Sequence, residues 1–301
     1  MVIRESPAAS VCPFCPGNES HPPREIFAYR KEGSAPNGPG WSVRVIPEAD
    51  PYFRIEQELV REGLGLYDRI SPRGATELIV ESPSHDDTAA TLGDGQWEQV
   101  LWMYGERIRD LKRDQSIRDI LVTRRHRAPG SRITHPYSRL TAIPIIFDEV
   151  RRKLRECREH YEYKRRCVYC DMIRQEIAAG DRVVRLTDHF LALSPYAACS
   201  PYETWILPRR CDDDFLATSV ESLADALHLL FVALRDGLNR PAFNMWLHRL
   251  PGERFHWHFE LQPRTGQLAG LELGGDMYIN SLPAVAAARR LRAAVPPRGQ
   301  A

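Results

Sequence analysis

The sequence predicts a fold made twice over from strands and helices, with the boundary between the copies near residue 160. Three observations carry that expectation. A C-x-x-C pair opens each half, Cys12–Cys15 and then Cys167–Cys170. An amphipathic helix follows two strands in each half. A histidine motif on an extended segment closes each half, His135-Pro-Tyr-Ser-Arg139 and His256-Trp-His-Phe-Glu260. Self-similarity of this length is the signature of an internal duplication.

The elements follow in chain order. Trp41–Pro47 alternates as a strand, and Glu77-Leu-Ile-Val-Glu-Ser-Pro-Ser-His85 reads as a second strand ending in a polar turn. Trp97, Val100, Leu101, Tyr104, Ile108 and Leu111 recur at helical spacing. The charged segment Phe147–Arg166 joins the halves and reads as a helix with one narrow stripe of Val150, Leu154, Cys157 and Tyr161. In the second half, His189–Pro195 and Glu203–Cys211 repeat the two strands. Glu203 aligns with Glu77, and Cys211 aligns with His85. Leu223, Leu227, Leu230 and Leu234 mark the second helix, with Thr218 and Glu221 as a capping box and Gly237 as a stop. A last helix is expected from Ser281, with Pro283 in its first turn, to about Ala294. The tail PPRGQA is expected to be loose.

Composition narrows the classes of function. The 301 residues are 43% hydrophobic and 27% charged, which suits a packed core. Lys plus Arg is 41 against Asp plus Glu 40, so no electrostatic footprint for nucleic acid or an anionic membrane is present. No run of about 18 apolar residues occurs, and the N-terminal stretch has no secretory apolar region. A soluble cytoplasmic protein is expected.

The seven cysteines are an odd number, and a chain of this size does not need a disulfide framework. One C-x-x-C pair alone could be a redox dithiol, half a metal site or an accident. Two pairs, each followed by a His or Cys and then a His, make two four-ligand sets: Cys12, Cys15, His85, His135 and Cys167, Cys170, Cys211, His256. Thiolate and imidazole suit tetrahedral Zn(II), and four filled positions describe closed, structural sites. His189 is a rival to Cys211 as third ligand of the second set. Compact zinc-ribbon adaptors use short ligand spacings, whereas these ligands are spread over most of each half, which argues against a ribbon.

With these residues in view, the chain resembles a known family. CPFCPGNES, ELIVESPSHD, HPYSR followed by LTAIPII, SPYETWILPRR, FHWHFELQPR and GGDMYIN are similar, in order, to stretches of galactose-1-phosphate uridylyltransferase and its relatives in the histidine-triad superfamily. The resemblance implies an α+β chain of two tandem histidine-triad-like domains, residues 1–160 and 161–301, each an antiparallel half-barrel sheet with helices. It implies a homodimer that moves a nucleoside monophosphate between a sugar phosphate and a nucleotide sugar. It also places zinc on Cys12, Cys15, His85 and His135, with a second zinc known in relatives that carry the second C-x-x-C pair. His248 matches a histidine that binds a second metal in some members.

In that family the nucleophile is a His two residues after the zinc-binding His, in His-Pro-His-x-Gln. Imidazole suits double displacement because it is neutral near pH 7 and leaves readily. Here the five positions read His135-Pro136-Tyr137-Ser138-Arg139, and phenols ionise only around pH ~10. Glu48 stands where the family has an Asn, and the loop from Arg124 to Arg132 is rich in Arg where the family has small residues. Three readings compete. Tyr137 is a covalent nucleophile, or Arg132 and Arg139 support direct displacement. Alternatively, Arg124, Arg125, Arg127, Arg132 and Arg139 bind phosphate bidentately without turnover, as in a pseudoenzyme that binds nucleotide sugars or phosphate; Ser138 is a further candidate for substrate binding. Thirdly, His258 with Glu260 carries the activity from the second half, at the repeat-equivalent of the nucleophile.

Overall fold

Alternation of burial along Tyr137–Ala142 shows how the sequence places its side chains. Ser138, Leu140 and Ala142 are buried, whereas Tyr137, Arg139 and Thr141 are half-buried on the opposite face. The computed structural model describes residues 12–20, 23–126, 134–211, 214–239, 241–250, 255–266 and 269–295. The first half contributes β1 (Phe27–Arg30) and β2 (Trp41–Pro47), then a separate hairpin of β3 (Arg61–Leu64) and β4 (Tyr67–Ile70). Next come β5 (Ala75–Val80), helix α1 (Gly93–Leu111), β6 (Asp119–His126) and β7 (Tyr137–Ile143). Helices α2 (Asp148–Lys164) and α3 (Val168–Ala179) lead into the second half. That half contains β8 (Val183–Leu186), β9 (Phe190–Leu193), β10 (Thr204–Pro208), helix α4 (Val220–Leu238), β11 (Phe243–His248) and β12 (His258–Pro263). Helices α5 (Gly270–Gly275) and α6 (Ala284–Ala294) finish the described chain.

The duplication is visible in the strand order, β1-β2-β5-β7-β6-β11-β12-β10-β9-β8, all pairs antiparallel. Read from each outer edge, the two halves follow the same sequence of elements and meet at β6 and β11, where Val122 faces Leu247 and Arg125 faces Asn244. The expected half-barrel sheets thus run into one ten-stranded antiparallel sheet, with no closed barrel. The fold class is α+β. The expected boundary at residue 160 falls inside α2.

Helices α1, α4 and α6 cover one face of the sheet and share one core with both halves, including Val43, Ile79, Val122, Leu140, Ile206, Met245 and Phe259. At its centre Trp97 of α1 stacks on Phe231 of α4, with ring centroids 5.2 Å apart. On the other face, α2 and α3 seal the second half through Val150, Leu154, Cys157, Tyr169 and Ile173. The corresponding face of the first half carries a smaller cluster of Phe14, Trp41, Ile46, Leu78 and Val80 under the N-terminal segment.

Two local expectations need correction. Helix α4 starts after Ser219, which makes no side-chain cap bond, so the capping box at Thr218 and Glu221 is absent. It ends at Asn239 in the left-handed conformation, one residue past Leu238, and Gly237 lies within the helix. A Cβ at Gly237 would stand 3.2 Å from that of Ala294, so the glycine serves close packing against α6 rather than termination. The tail from residue 296 lies outside the described residues.

Candidate functional site

Both four-ligand sets assemble. In the first, Sγ of Cys15 lies 3.4 Å from Nδ1 of His85 and 3.8 Å from Nδ1 of His135, and Sγ of Cys12 lies 3.8 Å from His135 Nδ1. In the second, Cys167 and Cys170 each place Sγ 3.9 Å from His256 Nδ1, and Cys211 completes the group. Within each set the donor atoms lie within 4.8 Å of one another. Zinc–sulfur and zinc–nitrogen bonds of ~2.3 and ~2.0 Å give tetrahedral edges of about 3.5 Å, so the donors fit such an ion. His189 is not in the group, so Cys211 is the third member.

Folding orients the rings the same way in both halves. His135 Nε2 lies 2.7 Å from the carbonyl of Ser82, and His256 Nε2 lies 2.7 Å from that of Pro208. A carbonyl only accepts, so each Nε2 carries the proton and each Nδ1 presents a lone pair to the thiols. Burial lowers the pKa of His135 and favours the neutral ligand form. Burial opposes ionisation of Cys167, but bonds from His256 and the Cys170 N–H bring its thiol to about 7. Burial and the neighbouring Cys167 and Cys170 push Cys211 up, as expected of three crowded thiols that a cation would reconcile.

The motif after His135 distributes its residues to two faces. Tyr137 and Arg139 occupy the open face of β7. Tyr137 meets Phe14 edge-on, with centroids 5.8 Å apart, and Arg139 is paired with Glu48. The register aligns Arg139 with Thr123, and Thr123 with Trp246, across the junction of the halves. All three are half-buried, and Arg125 beside them on β6 is exposed. The open face therefore offers a strip with a phenol, two guanidinium groups and an indole.

Ser138 points the other way. It is fully buried, with its Oγ 2.5 Å from both Glu81 Oε1 and the Tyr104 hydroxyl. Arg124 is buried in the same network. Its Nε and Nη2 bond Glu81 Oε2 at 2.8 and 2.7 Å, and its guanidinium lies 5.5–5.8 Å from the rings of Trp97, Phe231 and Phe243. The expectation that Ser138 and Arg124 hold substrate phosphate is therefore corrected, because both face the helices and are committed internally. Arg127 and Arg132 lie outside the described residues.

The second half differs at the equivalent positions. His258 has no exposed surface, and the rings of Tyr169, Trp205, His248 and Phe255 surround it at 5.0–5.8 Å. Glu260 is also buried, with the Trp246 indole donating to its Oε2 at 2.8 Å. Burial raises its pKa, but His258, Lys153 and His248 lower it further, so the carboxylate is ionised. Catalysis at His258 and substrate binding at Glu260 do not fit these enclosed positions. Sequence reasoning missed Lys153 and Glu81. Lys153 is one of several cations beside the apolar stripe of α2, so the sequence did not mark it out, whereas Glu81 could have been found as an acid on the core-facing parity of β5.

Comparisons with known proteins agree with this architecture. No family model matches the chain. ADP-glucose phosphorylase of Arabidopsis thaliana is 26% identical over 288 residues, covering 91% of this chain and 79% of that protein. Galactose-1-phosphate uridylyltransferase of Thermotoga maritima is 29% identical over 245 residues, 76% of each chain. Among solved structures, one of a uridylyltransferase superposes with a TM-score of 0.84 at 26% identity, covering 98% of this chain and 94% of its own. One of the Arabidopsis thaliana ADP-glucose phosphorylase with bound ADP-glucose superposes with a TM-score of 0.81 at 25% identity, covering 96% and 91%.

A duplicated antiparallel sheet, helices on its faces and a histidine motif leading into β7 and into β12 describe a histidine-triad-like fold. The chain is similar over most of its length to galactose-1-phosphate uridylyltransferases and to ADP-glucose phosphorylase, and it carries Tyr137 two residues after His135.

Proposed function

We propose that this protein is a nucleotidyltransferase acting on nucleotide sugars and hexose 1-phosphates, with its chemistry centred on the open face of β7. The observation that carries the reading is the placement of Tyr137 two residues past His135, at the start of β7, beside Arg139 and the Trp246 strip. Relatives that match most of the chain are named for such reactions. Cys12, Cys15, His85 and His135 would hold one Zn(II), and Cys167, Cys170, Cys211 and His256 a second. Bound there with four protein ligands, zinc supplies structural clamping and no open coordination position. Arg139 would orient and neutralise a phosphoryl group, exchanging its partner Glu48 for substrate oxygens. Tyr137 would either attack phosphorus, losing its proton and expelling the sugar phosphate, or orient the acceptor for direct displacement. The units are residues 1–160 and 161–301, and the protein is a cytoplasmic homodimer that binds neither nucleic acid nor membranes. Among the described residues, no helix is long and apolar enough to cross a membrane.

A second reading has one specific observation in its favour. Arg139, the cation two residues past Tyr137 on the same face of β7, is already paired with Glu48, which suits a protein that binds nucleotide sugars without turnover. One experiment separates the two. Purified protein is incubated with UDP-glucose or ADP-glucose and galactose 1-phosphate, glucose 1-phosphate or phosphate, and products and intact mass are followed. Turnover that falls at least about a hundredfold in Tyr137→Phe, with a nucleotidyl adduct on the parent, supports attack by the phenol. Turnover unaffected by that change rejects any role for the phenol in the chemistry. Binding without any product selects the second reading.

A further inference from the structure

The second half buries a cluster of charge that the proposed reaction does not use. His248 Nδ1, His258 Nε2 and a Glu260 oxygen lie within 4.8 Å of one another, and all three residues are buried. Two imidazoles and a carboxylate are a donor set for a divalent transition metal. The surroundings fix the His258 ring: its Nδ1 lies 2.9 Å from the His256 carbonyl and its Nε2 lies 3.0 Å from Glu260 Oε1, so Nε2 is turned into the pocket. Lys153 Nζ, which only donates, lies 3.1 Å from His248 Nδ1, so that nitrogen presents its lone pair to the pocket.

The centre of this donor set is filled by part of the protein. Lys153, from the connecting helix α2, extends its Nζ to Glu260 Oε1, to within 3.1 Å of His248 Nδ1 and to within 3.5 Å of His258 Nε2. The indole of Trp205 lies 5.2 Å from the same nitrogen and covers it with its ring face. The ammonium therefore meets all three donors at once, and its side chain is only 10% exposed. Glu149, one turn away on α2, lies 3.6 Å from Nζ as a further, half-exposed anion.

We propose that the Lys153 ammonium is the resident cation of a three-donor pocket that otherwise suits a divalent metal, and that it keeps this pocket metal-free. A point charge with three donor hydrogens can satisfy a carboxylate and a ring lone pair where an ion would otherwise be needed. Because Lys153 belongs to α2 and the donors belong to β11 and β12, the same contact clasps the connecting helix to the second half. A doubly charged ion cannot share the pocket with an ammonium about 3 Å away. The pocket touches the open strip through the bond of the Trp246 indole to Glu260, but the inference does not rest on the proposed reaction.

The test is uptake of Co(II) by purified full-length protein, read by visible absorption. Cobalt bound by His248, His258 and Glu260 gives d–d bands without the thiolate-to-metal charge-transfer band that the cysteine sets produce. Lys153→Ala is expected to bind one more equivalent in this thiolate-free form than the parent, at least about a hundredfold more tightly, and His248→Gln in that background should remove it. The comparison is a difference between variant and parent, so it does not depend on what the cysteine sets hold. Thiolate-free cobalt in the parent protein overturns the proposal, and so does a folded Lys153→Ala that takes none. If Lys153→Ala does not fold alone, added zinc should restore its far-UV circular dichroism while leaving the parent unchanged. A variant that stays unfolded with zinc also counts against it.

Discussion

Removing the carboxylate at Glu81 should unfold the first half more readily than almost any other single change. Glu81 has no exposed surface and is the anion for Arg124, whose side chain is 2% exposed. Glu81→Leu leaves that guanidinium charged, buried and without a carboxylate, beneath the rings of Trp97, Phe231 and Phe243. Breaking a buried ion pair from one side costs about 3–5 kcal/mol. At roughly 2–4 °C per kcal/mol for a unit of this size, the melting temperature should fall by about 10 °C. Replacing both partners, Glu81→Leu with Arg124→Met, removes the uncompensated charge. Ser138 and Tyr104 would still bond each other at 2.5 Å, so the double variant should lie within about 2 kcal/mol of the parent. Chemical denaturation followed by tryptophan fluorescence measures all four corners of the cycle. Additive losses would refute the reasoning, as would a loss below about 1 kcal/mol in the single variant. Nucleotide-sugar affinity measured on the folded double variant checks the assignment of Arg124 to structure. It should be unchanged, and a tenfold loss would return Arg124 to the binding surface.

Two further outcomes follow from the site and its supports. Metal analysis of purified protein should return about two zinc ions per chain. Cys211→Ala should lower that count by one and His189→Ala should not, with the reverse pattern placing the third ligand at His189. The second outcome concerns acid. Burial raises the carboxyl of Glu19, but the Trp41 indole, the Gly17 N–H and Arg44 more than offset this, so its pKa lies below the ordinary 4.5. A depressed carboxylate contributes stability above pH 4.5 that is lost as pH falls through the lower folded value. Unfolding curves of the parent and Glu19→Gln should therefore converge below pH 4.5, and curves that remain parallel would deny Glu19 this role.

The duplication was legible because the markers of each copy are residues whose chemistry fixes their spacing. Cys12, Cys15, His85 and His135 must converge, and so must their counterparts, so the loops between them could be read as returns of one chain to one point. The strands from Trp41 and Glu77 and the helix around Trp97 were also plain from their periodicities. Side-chain direction around the histidine motif was not. His135-Pro-Tyr-Ser-Arg139 reads as a continuous polar site, yet a strand alternates its faces, which buries Ser138 and exposes its neighbours. Arg124 and Glu260 were similarly misread, because a charged residue in sequence gives no sign of a buried counter-ion contributed by a distant element. Glu81 lies 43 positions from Arg124, and Lys153 lies 107 from Glu260. The cap of α4 failed for a smaller reason: Thr218 and Ser219 are adjacent hydroxyl residues, and the helix begins after the second.

The pairing of β6 with β11 has a consequence for the history and handling of this molecule. Those two strands are the inner margins of the two copies, and each hides the other's unpaired amides and carbonyls. A lone copy would present that margin as an adhesive ribbon, ready to recruit another chain. An ancestor carrying one copy would therefore have been pressed to associate through this strand, and gene fusion would have made the association permanent. For the same reason, dissection of the chain near its midpoint should yield material that pairs or precipitates rather than two independent parts.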